Sequence, residues 1–154
     1  MRVSHVGSWP ERQLVQRSFT IRWTHGCVIT RLHAVLRDDA RTRGSMQGWA
    51  ETMAELIPQT GPAHVAIFDT RKASAIPREL WLELAQMIHA LPRQPLRRAL
   101  VVGEGLVGDN HAETAQLITA GRVRVFEPCE HDALPAWVAA AGTLERRRAE
   151  YFIR

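Results

Sequence analysis

From Phe19 to Thr24 the chain alternates, with Phe19, Ile21 and Trp23 apolar against Thr20, Arg22 and Thr24. A period of two places such a set on one face of a half-buried strand. His25-Gly26 is a turn signal, and Cys27 to Leu36 continues β-rich through Val28, Ile29, Thr30, Leu32 and Val35. So short a connection predicts an antiparallel hairpin. The period then lengthens. Met46, Trp49, Met53 and Leu56 are spaced three, four and three apart and form one helical stripe, closed by Pro58 and Gly61. Ala63 to Asp69 reads as a strand buried on both faces, and Leu80, Trp81, Leu84, Ile88 and Leu91 continue a helix from Pro77 to Pro92. Arg98 to Val102 is another buried strand. Asp109 can cap a helix carrying Ala112, Ala115 and Ile118, with Gly121 at its close. Val123 to Phe126 is a last strand, and Leu134, Trp137, Val138 and Ala141 make the stripe of a final helix.

The order β-β-α-β-α-β-α-β-α predicts an α/β fold. A mixed, mostly parallel five-stranded sheet begins with one antiparallel pair and packs against four helices. One domain spans roughly 17–142, with an N-terminal arm over 1–16 and a basic C-terminal tail over 143–154. At 154 residues and 45% hydrophobic, the chain buries enough surface for a core of its own. No apolar run is long enough for a membrane span, and the N-terminus lacks an apolar h-region. Cys27 and Cys129 cannot make a disulfide framework, so a cytoplasmic location with reduced thiols is expected.

Charge sharpens this picture once it is divided. The net +4 comes from the ends: residues 1–22 carry four arginines against Glu11, and 143–154 carry four against two glutamates. Residues 23–142 are left at −1. No basic stripe with interleaved aromatics occurs, so a nucleic-acid partner is not expected. In the tail, Leu144, Arg148 and Tyr151 can share a helical face, which predicts docking on a neighbouring subunit or partner and is compatible with a homodimer. A frayed, solvated helix is the alternative.

Three stretches carry a resemblance to a known family. The hairpin leads into a helix bearing Trp49. Val65-Ala66-Ile67-Phe68-Asp69 ends in an acid, followed by a loop and a helix with Leu80-Trp81. Arg122-Val123-Arg124-Val125-Phe126 precedes Ala133 and Trp137. Together they resemble the STAS superfamily, nearest its SpoIIAA-like branch, whose best-known members are anti-sigma-factor antagonists. The resemblance covers about four-fifths of the chain and implies a non-enzymatic regulatory module that binds a protein partner or a small apolar or anionic ligand. It also implies a phosphorylatable serine at the start of the helix after the strand ending in Asp69, where a phosphate meets free amides. The aligned positions are Pro77-Arg78, and neither has a hydroxyl. Ser74 is the only serine of that loop and the candidate for phosphorylation, with a helix-capping role as its alternative. Five tryptophans would suit an apolar pocket, but Trp49, Trp81 and Trp137 lie on helical stripes and read first as core.

The partner-binding candidates are therefore Asp69, Thr70, Arg71, Lys72 and Ser74, with Arg78 on the following turn. Arg71, Lys72 and Arg78 make this corner locally basic, which suits an anionic ligand or an acidic surface. A second reading uses Gly103-Glu104-Gly105-Leu106-Val107-Gly108, a G-x-G-x-x-G after a strand, with Glu127 nineteen residues beyond Gly108. Gly103, Gly105, Gly108 and Glu127 would then serve a nucleotide or dinucleotide. Against it, three polar residues, Asp109-Asn110-His111, follow the third glycine, and a glycine-rich turn needs no ligand. No catalytic constellation emerges, and no cofactor is implied. Cys129-Glu130-His131 offers two ligand types where zinc needs three or four ligands, so no metal site is expected.

Overall fold

A computed structural model describes residues 12–15, 18–33, 37, 39–73, 76–103 and 123–154. Six strands form one sheet in sequence order: β1 (Arg12–Val15), β2 (Phe19–Thr24), β3 (Cys27–Leu32), β4 (Val65–Asp69), β5 (Arg97–Val101) and β6 (Val123–Phe126). β1 to β3 pair antiparallel and β3 to β6 pair parallel, so the sheet is mixed and the β2–β3 hairpin stands where the alternation placed it. The strand count is six rather than five. Within the segment expected as an N-terminal arm, Arg12–Val15 pairs with β2 as an edge strand. Arg12, Gln13 and Leu14 are all exposed, so no buried face marked them in the sequence.

Two helices cover one face. α1 (Ala40–Leu56) buries Met46, Trp49, Met53 and Leu56, and α2 (Arg78–His89) buries Leu80, Trp81, Leu84, Ala85 and Ile88. Both meet Phe19, Ile21, Val28, Leu32, Ala66, Phe68 and Leu100, the residues that alternation points to that side. Trp49 is the hub. Its ring stacks on Phe19 at 6.3 Å between centroids and meets Phe68 edge-on at 5.7 Å. Its indole N–H donates to Thr30 Oγ1 at 3.0 Å, so the polar end is satisfied without leaving the core.

The opposite face is covered by α3 (Leu134–Ala140) and α4 (Arg146–Ile153), which pack on Cys27, Ile29, Val65, Ile67, Ala99, Val101 and Phe126. Trp137 meets Phe126 edge-on at 5.4 Å. The segment expected to dock elsewhere as a tail is therefore a packed layer of this domain. Leu144, of the expected stripe, is buried; within the helix Ala149 and Phe152 are the buried positions and Tyr151 is exposed, so there the stripe runs one position past Arg148 and Tyr151. The approach to α4 is anchored at the hairpin turn. Gly26 adopts φ +94°, and a Cβ there would lie 2.2 Å from the Thr143 carbonyl oxygen. The Thr143 hydroxyl donates back to the Gly26 carbonyl at 2.9 Å. The helix expected from Asp109 lies outside the described residues. No helix among the described residues is long and apolar enough to cross a membrane.

Candidate functional site

Parallel pairing aligns the carboxyl ends of β3, β4 and β5, the edge where open α/β sheets bind ligands. The register sets Arg31 of β3 beside Asp69 of β4, both directed to the α3/α4 face. Asp69 is only 5% exposed and accepts from two arginines. Arg31 Nε donates to its Oδ2 at 3.2 Å, while Arg71 donates through Nε to Oδ1 at 3.0 Å and through Nη2 to Oδ2 at 2.7 Å. The Arg71 backbone N–H adds a bond to Oδ1 at 3.0 Å. Burial pulls the Asp69 carboxyl upward, but the hydrogen bonds and charge of Arg71, joined by Arg31, outweigh it and hold it below the ordinary carboxylate value. The Arg71 guanidinium is raised in turn by its bonds to Asp69. Asp69 is thus a buried anchor that fixes two guanidinium planes.

These planes border a cleft of about 390 Å³ lined by Arg31, Leu32, Asp69, Arg71, Lys72 and Arg154. Four cationic residues and one acidic residue line it. The end of α4 closes one side. Arg31 Nη2 donates to the main-chain oxygens of Ile153 at 2.8 Å and Arg154 at 3.4 Å, and Arg22 Nη1 reaches the Arg154 oxygen at 3.2 Å. Carbonyls at a helix C-terminus carry partial negative charge and attract cations. The Arg22 guanidinium lies 5.1 Å from the Phe152 ring centroid, and burial together with the nearby Arg31 lowers its pKa. Beside this cluster Thr20 Oγ1 and His33 Nε2 share a hydrogen bond.

The corner read from the sequence is brought together in part. Asp69, Arg71 and Lys72 line the cleft. Thr70 is fully buried, and its hydroxyl donates to the Val101 carbonyl at 2.8 Å, so it ties β4 to β5 and offers nothing to solvent. Arg78 begins α2, is exposed and does not line the cleft. Ser74 lies outside the described residues. Arg31 and Arg154 were missed, since neither is near Asp69 in sequence. The one available signal was an arginine sharing a strand face with Cys27 and Ile29, a position that demands a partner.

Of the glycine motif, Gly103 is described and Gly105 and Gly108 lie outside the described residues. Gly103 is buried, and a Cβ there would stand 2.8 Å from the Arg71 carbonyl oxygen and 3.0 Å from its Cα. Its lack of a side chain lets the loops after β4 and β5 touch, a packing reason that involves no phosphate. Glu127 caps the 3-10 turn Pro128–Ala133 in a reciprocal capping box with Glu130. His131 Nε2 donates to the Val102 carbonyl at 2.9 Å, and Cys129 is exposed. Among the described residues no cluster of three or more metal-ligand side chains occurs. No family model, curated protein or solved structure matches the chain.

Proposed function

We propose that this chain is a non-enzymatic binding module, STAS-like in its order of elements, that recognises an anionic group at the carboxyl edge of its sheet. One observation carries the reading: Arg31, Arg71, Lys72 and Arg154 line a single cleft with one acidic side chain, Asp69, itself occupied by two of the arginines. An arrangement with that excess charge lowers its energy when an anion enters, and guanidinium groups pre-oriented by Asp69 lose little freedom on binding. The hairpin, the strand ending in Asp69 and the Trp137 helix support the STAS-like part of the reading. The cationic residues that line the cleft favour an anionic group over a purely apolar ligand.

Chemical-shift mapping on the 15N-labelled chain, titrated with chloride, acetate and phosphate, tests the proposal. Saturable shifts confined to Arg31, Asp69–Lys72 and Arg154, absent in the double variant Arg71→Glu/Lys72→Glu, are expected. Shifts spread over the surface, or retained in that variant, would refute it.

A further inference from the structure

Resting on the anion-site reading above, we infer that the cleft selects a doubly charged phosphate monoester, carried on a small molecule, over a carboxylate. The argument is an inventory of donors. Arg31 spends Nε on Asp69 and Nη2 on the α4 main chain, which leaves Nη1 without a described partner. Arg71 spends Nε and Nη2 on Asp69, and its Nη1 is likewise uncommitted. Lys72 and Arg154 line the same cleft, and neither side chain has an ion-pair partner among the described residues. At least three separate donor groups therefore converge from β3, from the loop after β4 and from the end of α4.

A carboxylate has two oxygens and one charge. A phosphate monoester presents three terminal oxygens and carries close to two charges at neutral pH. Donor groups on three separate segments suit the second. The guanidinium fork matches carboxylate and phosphate alike, so the preference rests on the number of donors, to which the lysine adds a point charge. A cleft of about 390 Å³ lies within the range of small-molecule sites, so it has room for the group that carries the phosphate. Asp69 sits beneath the arginines as their shared acceptor, and its charge is already taken up by two guanidiniums before a ligand arrives.

Isothermal titration calorimetry of the full chain against inorganic phosphate, phosphoserine and acetate, at fixed ionic strength, tests the class of ligand. Inorganic phosphate and phosphoserine should bind at least about tenfold more tightly than acetate, the effect of one additional charge-assisted hydrogen bond. Phosphoserine tighter than inorganic phosphate would support the attached group as part of the ligand. Lys72→Ala and Arg71→Met should each weaken phosphate binding about tenfold or more, with a native circular dichroism spectrum at the titration temperature showing that the fold survives. Equal affinity for acetate and phosphate would overturn the phosphate assignment while leaving an anion site in place. No saturable binding of any of the three would overturn both. Phosphate binding that survives Arg71→Met/Lys72→Ala intact would place the site elsewhere and also overturn the assignment.

Discussion

The two ends of the parallel sheet hold cations in opposite ways. At the carboxyl end, Arg31 and Arg71 share the ionised Asp69 and face an open cleft. At the amino end, His64 precedes β4 at 1% exposure and Arg98 opens onto the α1/α2 face at 8%. Among the described residues no carboxylate meets either: Arg98 Nη2 donates to the amide oxygen of Gln94 at 3.1 Å, and the Nδ1 of His64 has no partner there. Burial pushes His64 down to about 4, with the charges of Arg98 and Arg93 adding to the effect, and it pushes Arg98 down to about 10. One end keeps its charges ionised by pairing them beside water. The other keeps His64 neutral by burial, while Arg98, still charged at pH 7, is buried against an amide oxygen instead of a carboxylate. A charged end with spare donors is suited to a ligand, whereas a buried end that disfavours charge is suited to packing.

The largest expected effect breaks the carboxyl end. Asp69→Ala leaves two arginines, one of them mostly buried, without their acceptor, and should lower stability at pH 7 by about 3 kcal/mol in urea denaturation. A loss below about 1 kcal/mol would show that Asp69 is not the anchor. At the amino end the effect depends on pH. His64 has a folded value below its unfolded one near 6.5, so the stability it confers is full above pH 6.5 and is lost as pH falls toward 4. That shift corresponds to on the order of 3 kcal/mol across the window. His64→Leu should flatten the urea midpoint between pH 6.5 and 4. Asp69, depressed below the usual carboxylate value, should contribute its own loss only below about pH 4. A single acid transition shared by both variants would erase the distinction between the ends.

Much of this was legible along the chain. The stripe Met46-Trp49-Met53-Leu56 and the alternation Phe19-Ile21-Trp23 each serve one core, so local period and tertiary burial agree. The Asp69-Arg71-Lys72 corner was legible because its members are neighbours. β1 was not, because its short exposed segment gives no buried face to read. α4 was misjudged because arginines dominate its sequence, while its burial depends on Ala149, a small residue whose role is to permit close approach. Arg31 was hidden for a different reason. Its pairing with Asp69 follows from the β3–β4 register, and its contact with Ile153 spans 122 residues of sequence.

A smaller effect sharpens how the cleft is built. Gly103→Ala should cost about 1 to 3 kcal/mol, because the new methyl meets Arg71 backbone that cannot rotate away. It should also weaken phosphate binding, since Arg71 moves with that backbone. Unchanged stability and affinity would uncouple the two loops. The smallest expected effect is Lys72→Ala, which should change stability by less than about 1 kcal/mol because that side chain is exposed. Its consequence belongs to binding.

The most direct measurement is anomalous diffraction from crystals of the full chain soaked in tungstate, an oxyanion with strong anomalous scattering. A single strong peak among Arg31, Arg71 and Lys72, within hydrogen-bond reach of their side-chain nitrogens, is expected. A peak beside His64 and Arg98 with an empty carboxyl-edge cleft would contradict the division between the two ends of the sheet.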